Sequence, residues 1–218
     1  MSGSPDVSAV LLFPSGRELV RRLPPLLIGI ALIALGTSLS VRAHLGLSPW
    51  DVFHQGVSKH TGISLGWVIV IVGAVVLLAW IPLHQRLGVG TIVNTALVGT
   101  LVKVFLPHVG APDMIVVRVA MLLGAIASFG LGGGLYIGAA LGPGPRDGLM
   151  TAITARGHRL WAVRMVLELS VFVVGWALGG NVGIGTALIA CSLGPSIHFA
   201  LNRFHLPVPR PSEAVLGE

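Results

Sequence analysis

Four charged residues lie beside or within long apolar runs of this sequence: Asp51, Arg146, Asp147 and Glu168. A carboxylate in such surroundings is suited to binding a proton or a cation, and a guanidinium binds a carboxylate or phosphate group through two parallel hydrogen bonds. We therefore interpret these four residues as candidates for binding a small polar solute or lining its pathway. The carboxylates would handle charge or protons, and the arginine would bind an acidic group.

Each of the four also has a structural interpretation that the sequence leaves open. Asp51 and Asp147 each follow a proline by two residues, and an acid in the first turn of a helix stabilises it through the helix dipole. Arg146 is able to pair with Asp147 or simply to mark the cytoplasmic side. Glu168 has Arg164 four residues earlier, on the same face of a helix, as an ion-pair partner.

The two aspartates belong to a segment that occurs twice. Leu45-Gly46-Leu47-Ser48-Pro49-Trp50-Asp51 returns 96 residues later as Leu141-Gly142-Pro143-Gly144-Pro145-Arg146-Asp147. A serine is a good N-cap, proline suits the first helical position, and a later glycine ends the helix, so each copy predicts a short helix. The residues assigned to this structural motif are Ser48, Pro49, Trp50, Gly142, Gly144 and Pro145. At about 12 residues, each helix is too short to cross a bilayer and is either interfacial or re-entrant.

A second pair of segments extends the repeat. Gly88-Val89-Gly90-Thr91 corresponds to Gly183-Ile184-Gly185-Thr186 at an offset of 95. Two copies of a unit with an odd number of spans lie upside down to one another in a membrane, as in many secondary transporters. The sequence therefore predicts two inverted three-helix repeats, each with a short helix after its first span.

The composition is that of an integral membrane protein. Of the 218 residues, 54% are hydrophobic and only 10% are charged, far below the roughly 25% charge of soluble domains. Six apolar runs are long enough to span the bilayer, at 24–43, 64–83, 88–106, 113–140, 160–179 and 184–204. We expect Pro24 and Pro25 to open the first. The domain boundaries follow as an N-terminal tail at 1–23, repeats at 24–110 and 111–206, and a C-terminal tail at 207–218.

Basic residues indicate the orientation. The side that includes both termini carries Arg17, Arg21, Arg22, Arg86, Arg146, Arg156, Arg159, Arg164, Arg203 and Arg210, against Arg42, Lys59, Lys103 and Arg118 on the other. The positive-inside rule then places both termini in the cytoplasm. The net charge of +6 is spread over loops and helix ends, so it predicts no nucleic-acid partner. Trp67 and Trp80, and likewise Trp161 and Trp176, are expected to be interface anchors.

The glycines at 130, 134 and 138 form a ladder in the fourth span. Gly130, Gly134 and Gly138 predict close helix packing, either within the chain or with a second copy in a homo-oligomer. The eight histidines and the single cysteine form no metal-ligand spacing, and we expect no metal and no cofactor. Hydrolase and phosphate-loop motifs are missing from the sequence, which favours a protein that is not an enzyme.

The repeated motifs carry a family resemblance. Gly-Leu-Ser-x-Trp-Asp at Gly46 to Asp51, with Gly-Pro-Gly-Pro-Arg-Asp-Gly-Leu-Met at Gly142 to Met150, resembles the bacterial multi-pass membrane proteins grouped as YczE/YyaS/YitT-like. The resemblance covers roughly residues 25–205. It implies a bacterial inner-membrane protein and supplies no biochemical activity.

Two function classes follow. The first is a secondary transporter or permease for a small polar solute, which predicts a polar cavity containing at least two of the four charged residues. The alternative is a non-transporting accessory protein for a biosynthetic or export partner, which predicts ion-paired, sealed acids and an exposed small-residue groove. An intramembrane enzyme would require an unfamiliar site.

Overall fold

The computed structural model describes residues 14–204, and within that range the chain forms eight α-helices and no β-strand. The helices are α1 (Gly16–Ala43), α2 (Pro49–Thr61), α3 (Leu65–Leu83), α4 (Val89–Phe105), α5 (Ile115–Gly138), α6 (Pro145–Thr154), α7 (Leu160–Ala177) and α8 (Ile184–Phe204). A 3-10 turn at Leu106–His108 extends α4. Six of the helices are long and apolar enough to cross a membrane, and α2 and α6 are the two short ones. The prediction of an all-helical chain with six candidate membrane spans is confirmed for the described residues.

The first helix begins earlier than the sequence predicts. Ser15 caps α1 by accepting a hydrogen bond from the Glu18 amide, and Pro24 and Pro25 lie inside the helix instead of opening it. Glu18 also forms an ion pair with Arg22 one turn later, at 2.7 Å. The cap and this pair stabilise the additional turns, and each proline removes one backbone donor. Residues 16–23 therefore belong to α1, while residues 1–13 and the expected tail at 207–218 lie outside the described residues.

Helices α1 and α5 pack antiparallel at the centre of the bundle. A side chain at Gly29 of α1 would overlap the backbone of Gly132 and Tyr136 in α5, so the two helices approach each other closely. The ends of this pair are tied by arginines: Arg22 Nη1 donates to Ala139 O at 3.1 Å, and Arg118 Nε donates to Ala43 O at 2.6 Å. Each arginine thus satisfies a carbonyl at the C-terminus of the opposite helix.

These two contacts correspond under the sequence repeat at an offset of 96, and two similar contacts correspond at an offset of 97. Arg118 and Ala139 stand 96 residues after Arg22 and Ala43. At the ends of α2 and α6, Lys59 donates to Gly179 O at 2.7 Å, and Arg156 donates to Pro82 O at 2.9 Å. Basic residues that we used only to infer orientation therefore also bind helix C-termini.

The corners that precede the short helices are built alike. Gly90 N donates to Leu141 O, and Gly185 N donates to Leu45 O, each at 2.8 Å. Gly46 and Gly142 take positive φ angles of 119° and 130°, which only glycine adopts readily. In addition, a Cβ atom at either corner would lie within 2.7 Å of a threonine hydroxyl, that of Thr186 or Thr91. Both corners therefore require glycine.

The flanking helices differ between the halves. Helix α4 packs on α1, and α8 packs on α5 in the corresponding way. Helix α3 packs tightly on α4 at Gly66 and Gly99, whereas α7 and α8 are barely in contact. Helix α7 is instead held by α2, at Gly175 and Phe53, and more weakly by α6. One side of the bundle is therefore closed by helix packing, and the other is open between α7 and α8.

Candidate functional site

A cavity of about 660 Å³ lies inside the bundle, and all eight helices contribute to its wall. Its wall includes all four of the charged residues singled out in the sequence, Asp51, Arg146, Asp147 and Glu168. The N-terminal turns of both short helices face it, through Ser48 to His54 in α2 and Gly144 to Met150 in α6. The cavity is thus the place where the two copies of the sequence motif meet.

In the first copy, the aspartate is buried and held by its own helix. Asp51 is 8% exposed, and Ser48 Oγ donates to its Oδ2 atom at 2.7 Å. Ser48 also accepts a hydrogen bond from the Asp51 amide at 3.3 Å, so one hydroxyl caps the helix and fixes the carboxylate. Asp51 Oδ1 lies 3.6 Å from His54 Nδ1. A serine, a carboxylate and an imidazole therefore form one cluster in the cavity wall.

Two buried nitrogen atoms of the same helix lack partners. Trp50 Nε1 and His54 Nδ1 are inaccessible to solvent and have no hydrogen-bond partner among residues 14–204. Trp50 and His54 are 7% and 9% exposed, respectively, and both residues line the cavity. Buried polar groups in proteins are nearly always paired, so these two atoms are candidates for binding a group that enters the cavity.

In the second copy, the aspartate is more accessible and has a permanent cation beside it. Arg146 Nε lies 3.5 Å from Asp147 Oδ1, and both side chains are 40% exposed to the cavity. Burial by itself lowers the pKa of the guanidinium, whereas the carboxylates of Asp147, Asp51 and Glu168 together raise that pKa above its ordinary value. Arg146 therefore stays charged and interacts electrostatically with acids from both halves of the chain.

Helix α6 is positioned by a tryptophan for which we predicted a different role. Trp80 is 1% exposed, lies against Gly148, and donates from Nε1 to Pro145 O at 3.0 Å. The prediction that Trp80 is an interface anchor is wrong, because its indole fills the space left by Gly148 inside the bundle. Trp67, Trp161 and Trp176 are at least half exposed, as interface anchors would be.

Glu168 lies in the cavity wall and is also paired. Arg164 Nε donates to Glu168 Oε1 at 2.9 Å, and the two side chains are 48% and 29% exposed. The two interpretations that the sequence left open, pathway residue and neutralised pair, are therefore compatible. Because α7 and α8 barely meet here, the ion pair stands at the open side of the cavity.

The glycine ladder faces another helix of the same chain. Side chains at Gly130 and Gly134 would overlap Ser196 and Ala200 of α8, and Gly138 is buried at the end of α5. The close partner of this face is thus α8, and the ladder is not an exposed groove. In the described part of the chain, no group of three or more His, Cys, Asp and Glu side chains is placed to hold a metal ion.

Sequence reasoning missed Tyr136, whose hydroxyl donates to Gly142 O at 2.9 Å. The hydroxyl lies close to Gly144, together with Asp147 Oδ2 and Asn94 Oδ1. These three polar atoms surround the Cβ position of Gly144, which corresponds to Ser48 in the first copy. Tyr136 is the single tyrosine of the chain, six residues before the repeated corner. That unusual placement in a glycine-rich span was the available signal.

Six apolar spans around a cavity lined with charged groups define a multi-pass membrane protein. Residues 20–202 match a protein family of unknown function, DUF6198, and the chain belongs to that family.

The relatives carry names consistent with this class. The chain is 38% identical to an uncharacterized protein of Haemophilus influenzae over 81% of its own length and 82% of the relative's. It is 33% identical to the uncharacterized membrane protein YczE of Bacillus subtilis, over 85% and 87% of the two chains. It is 27% identical to the uncharacterized protein YyaS of the same organism, over 78% and 88%. The resemblance stated from the repeated motifs is therefore confirmed. No solved structure matches this chain significantly.

Proposed function

We propose that this protein is a secondary transporter or permease of the bacterial inner membrane, carrying a small polar solute that has an acidic group. The observation that carries the proposal is the cavity into which both short helices direct their charged N-terminal turns. Broken or short helices whose N-termini meet at a central site are the usual solute-binding architecture of such transporters. In this proposal the protein performs no chemical conversion.

The proposal includes two inverted repeats with both termini in the cytoplasm. Its support is the antiparallel pairing of α1 with α5 together with the exchanged contacts of Arg22 and Arg118. The matched corner hydrogen bonds of Gly90 and Gly185 support it independently. The count of basic residues supports the orientation. In this arrangement, α2 lies on the outer half of the membrane and α6 on the cytoplasmic half.

Arg146 is the group we assign to the solute's acidic moiety. Its guanidinium is 3.5 Å from Asp147, which is longer than a direct hydrogen bond, and the cavity exposes 40% of its side chain. A carboxylate or phosphate is thus able to reach its free donors without first breaking a tight pair. Asp51, Asp147 and Glu168 face Arg146 and Arg164 across the empty cavity, which leaves one negative charge in excess.

The accessory-protein alternative has one observation in its favour. The Arg164–Glu168 pair is closed at 2.9 Å, as expected for acids that serve structure alone. Its other requirement, a free small-residue face, conflicts with the packing of Gly130 and Gly134 on α8. Any homo-oligomer would therefore use a surface other than this ladder.

Solute uptake into lipid vesicles tests the proposal. The purified chain is reconstituted, and a panel of labelled amino acids, carboxylic acids and organic phosphates is offered at a fixed membrane potential. We expect accumulation of at least one acidic member, and loss of that uptake in Asp51→Asn, Asp147→Asn and Arg146→Gln. Asp113→Asn is the matched control, because Asp113 is an exposed acid in the loop before α5 and does not line the cavity. Undiminished uptake in both cavity aspartate variants would remove those residues from the mechanism.

A further inference from the structure

In the cluster of Ser48, Asp51 and His54 at the start of α2, a neutral His54 leaves its Nδ1 atom without a good interaction with Asp51. In one neutral tautomer of His54, the bare Nδ1 lone pair faces the Asp51 carboxylate at 3.6 Å. In the other, an Nδ1–H group stands too far from that oxygen for an ordinary hydrogen bond. No other group in the described part of the chain forms a hydrogen bond with this buried nitrogen. A second proton on the ring converts the same contact into an imidazolium–carboxylate ion pair.

We propose that Asp51 and His54 form a proton-binding site in the cavity wall, and that a proton bound there favours binding of an acidic solute group at Arg146. This inference rests on the proposed transport function for its second half only. Histidine is suited to the role because its charge changes between about pH 5 and 8. Ser48 holds the other oxygen of Asp51, which leaves Oδ1 directed at the ring.

The charges around His54 determine the sign of the coupling. Helices α6 and α7 contribute Arg146 with Asp147 and Arg164 with Glu168, respectively, and α5 contributes the Tyr136 hydroxyl. Helix α8 contributes the exposed His198, while α3, which packs on α2, contributes valine, isoleucine and glycine to the wall.

With His54 neutral, the three carboxylates of the cavity exceed its two guanidiniums by one charge, so the site repels an anion. A proton on His54 cancels that excess, so proton and anion binding reinforce each other. The expected transport mode is proton–solute symport.

The proton site is present in only one of the two copies of the repeated segment. The positions that correspond to Ser48 and His54 are Gly144 and Met150, so the second copy has neither the hydroxyl nor the imidazole. Its aspartate has Arg146 as the basic neighbour instead, at nearly the same distance. The protein therefore has one titratable and one permanent carboxylate–cation pair facing the same cavity.

Direct titration of His54 tests the proton site without any solute. The full-length chain, labelled with ¹⁵N-histidine, is placed in lipid nanodiscs, and the His54 ring signals are assigned by comparison with His54→Met, which copies the second half. We expect these signals to change between about pH 5 and 8. In Asp51→Asn the change should move to lower pH, because the imidazolium loses its partner, whereas Asp113→Asn should leave it in place. A ring that stays in one state throughout this range, or one that titrates alike in both aspartate variants, would overturn the inference.

Flux measurements then test the coupling separately. For an acidic solute carried by the wild-type chain, an inward proton gradient should raise accumulation at least several-fold, and His54→Met should lose that response. If a solute is carried but the gradient has no effect, the coupling is wrong and the transport proposal stands. If no solute is carried while His54 titrates with Asp51, the proton site stands and the transport role fails, together with the coupling. Should Asp51→Asn fold poorly, Ser48→Ala provides a second variant that weakens the hold on the carboxylate and should shift the His54 titration less.

Discussion

The two short helices begin with the same proline and aspartate, and both aspartates lie in the wall of the same cavity, yet their surroundings differ. In α2 the aspartate side chain is 11% exposed and lies among Ser48, Trp50 and His54. In α6 the equivalent side chain is 40% exposed, beside Arg146. The comparison teaches that the two corners share a backbone conformation while the side chains around them differ. We infer that the corner is the scaffold and that the divergent positions carry the specific function.

The largest expected effect distinguishes two tryptophans that correspond under the repeat. Trp80 and Trp176 are 96 residues apart, but Trp80 is 1% exposed and Trp176 is 62% exposed. Trp80→Ala should lower the free energy of unfolding by about 3–5 kcal/mol, because it leaves a cavity against Gly148 and removes the hydrogen bond to Pro145 O. Trp176→Ala should change it by less than about 0.5 kcal/mol.

Thermal unfolding of both variants in the same detergent measures this difference. Equal losses of stability would mean that the two halves dock their short helices in the same way, and the asymmetry described above would be wrong.

The next effect should be equal in the two halves. Gly46→Ala and Gly142→Ala each force a side chain into a positive-φ corner, which costs about 1–3 kcal/mol. Each also introduces an overlap with the neighbouring threonine hydroxyl, which adds a packing penalty of about 1–3 kcal/mol.

We expect both variants to lose folded protein to a similar extent, as measured by the monodisperse fraction after extraction. Gly62→Ala is the control, because Gly62 also has a positive φ but has open space around its Cβ position. Gly62→Ala should therefore lose only as much folded protein as the backbone strain causes, without a contribution from side-chain overlap. A corner variant that behaves like Gly62→Ala would show that the backbone contact there is loose.

A smaller effect should separate the two arginines that tie α1 to α5. Arg22 is 1% exposed and also pairs with Glu18, whereas Arg118 is half-buried and bonds to Ala43 O and His44 O. Removing a charged donor from a buried carbonyl costs about 1–3 kcal/mol, and less where water replaces it.

Arg22→Met should therefore fall near the upper end of that range and Arg118→Met near the lower end, in denaturant unfolding of the reconstituted chain. Arg17→Met, in the first turn of α1, is the control and should be nearly neutral. The reverse order for Arg22 and Arg118 would contradict the burial difference.

Local sequence signals predicted the boundaries of α2 well, unlike the start of α1. Ser48, Pro49 and Gly62 each act on the residues next to them, so the start and end of α2 follow from capping preferences alone. The position of Asp51 and Asp147 in one cavity was the functional one of two interpretations that the sequence left open, and it rested on the way helix N-termini meet at the central site of transporters. These predictions needed no knowledge of side-chain packing.

What the sequence did not reveal depends on contacts between distant segments. The burial of Trp80 in α3 is decided by Gly148, which lies three helices later in α6, and an isolated tryptophan near a span end is typical of an interface anchor. The hydrogen bond of Tyr136 depends on how the corner at Gly142 folds back on α5. The position of Pro24 inside α1 depends on the cap and ion pair upstream, which outweigh the proline signal.

The smallest effect we predict tests whether the two aspartate–cation pairs are interchangeable in principle. Arg146→His gives the second half the kind of titratable partner that the first half already has. An imidazole with an ordinary pKa near 6.5 is charged below that value and neutral above it. Relative to wild type at the same pH, uptake of an acidic solute by this variant should therefore be similar at about pH 5.5 and several-fold lower at about pH 7.5. Arg146→Gln, which carries no charge at either pH, should stay low relative to wild type throughout, and Arg146→Lys should keep a constant ratio to wild type. If the histidine variant has the same ratio to wild type at both values, a permanent cation at this position is not what binds the solute, and the two halves differ in packing alone.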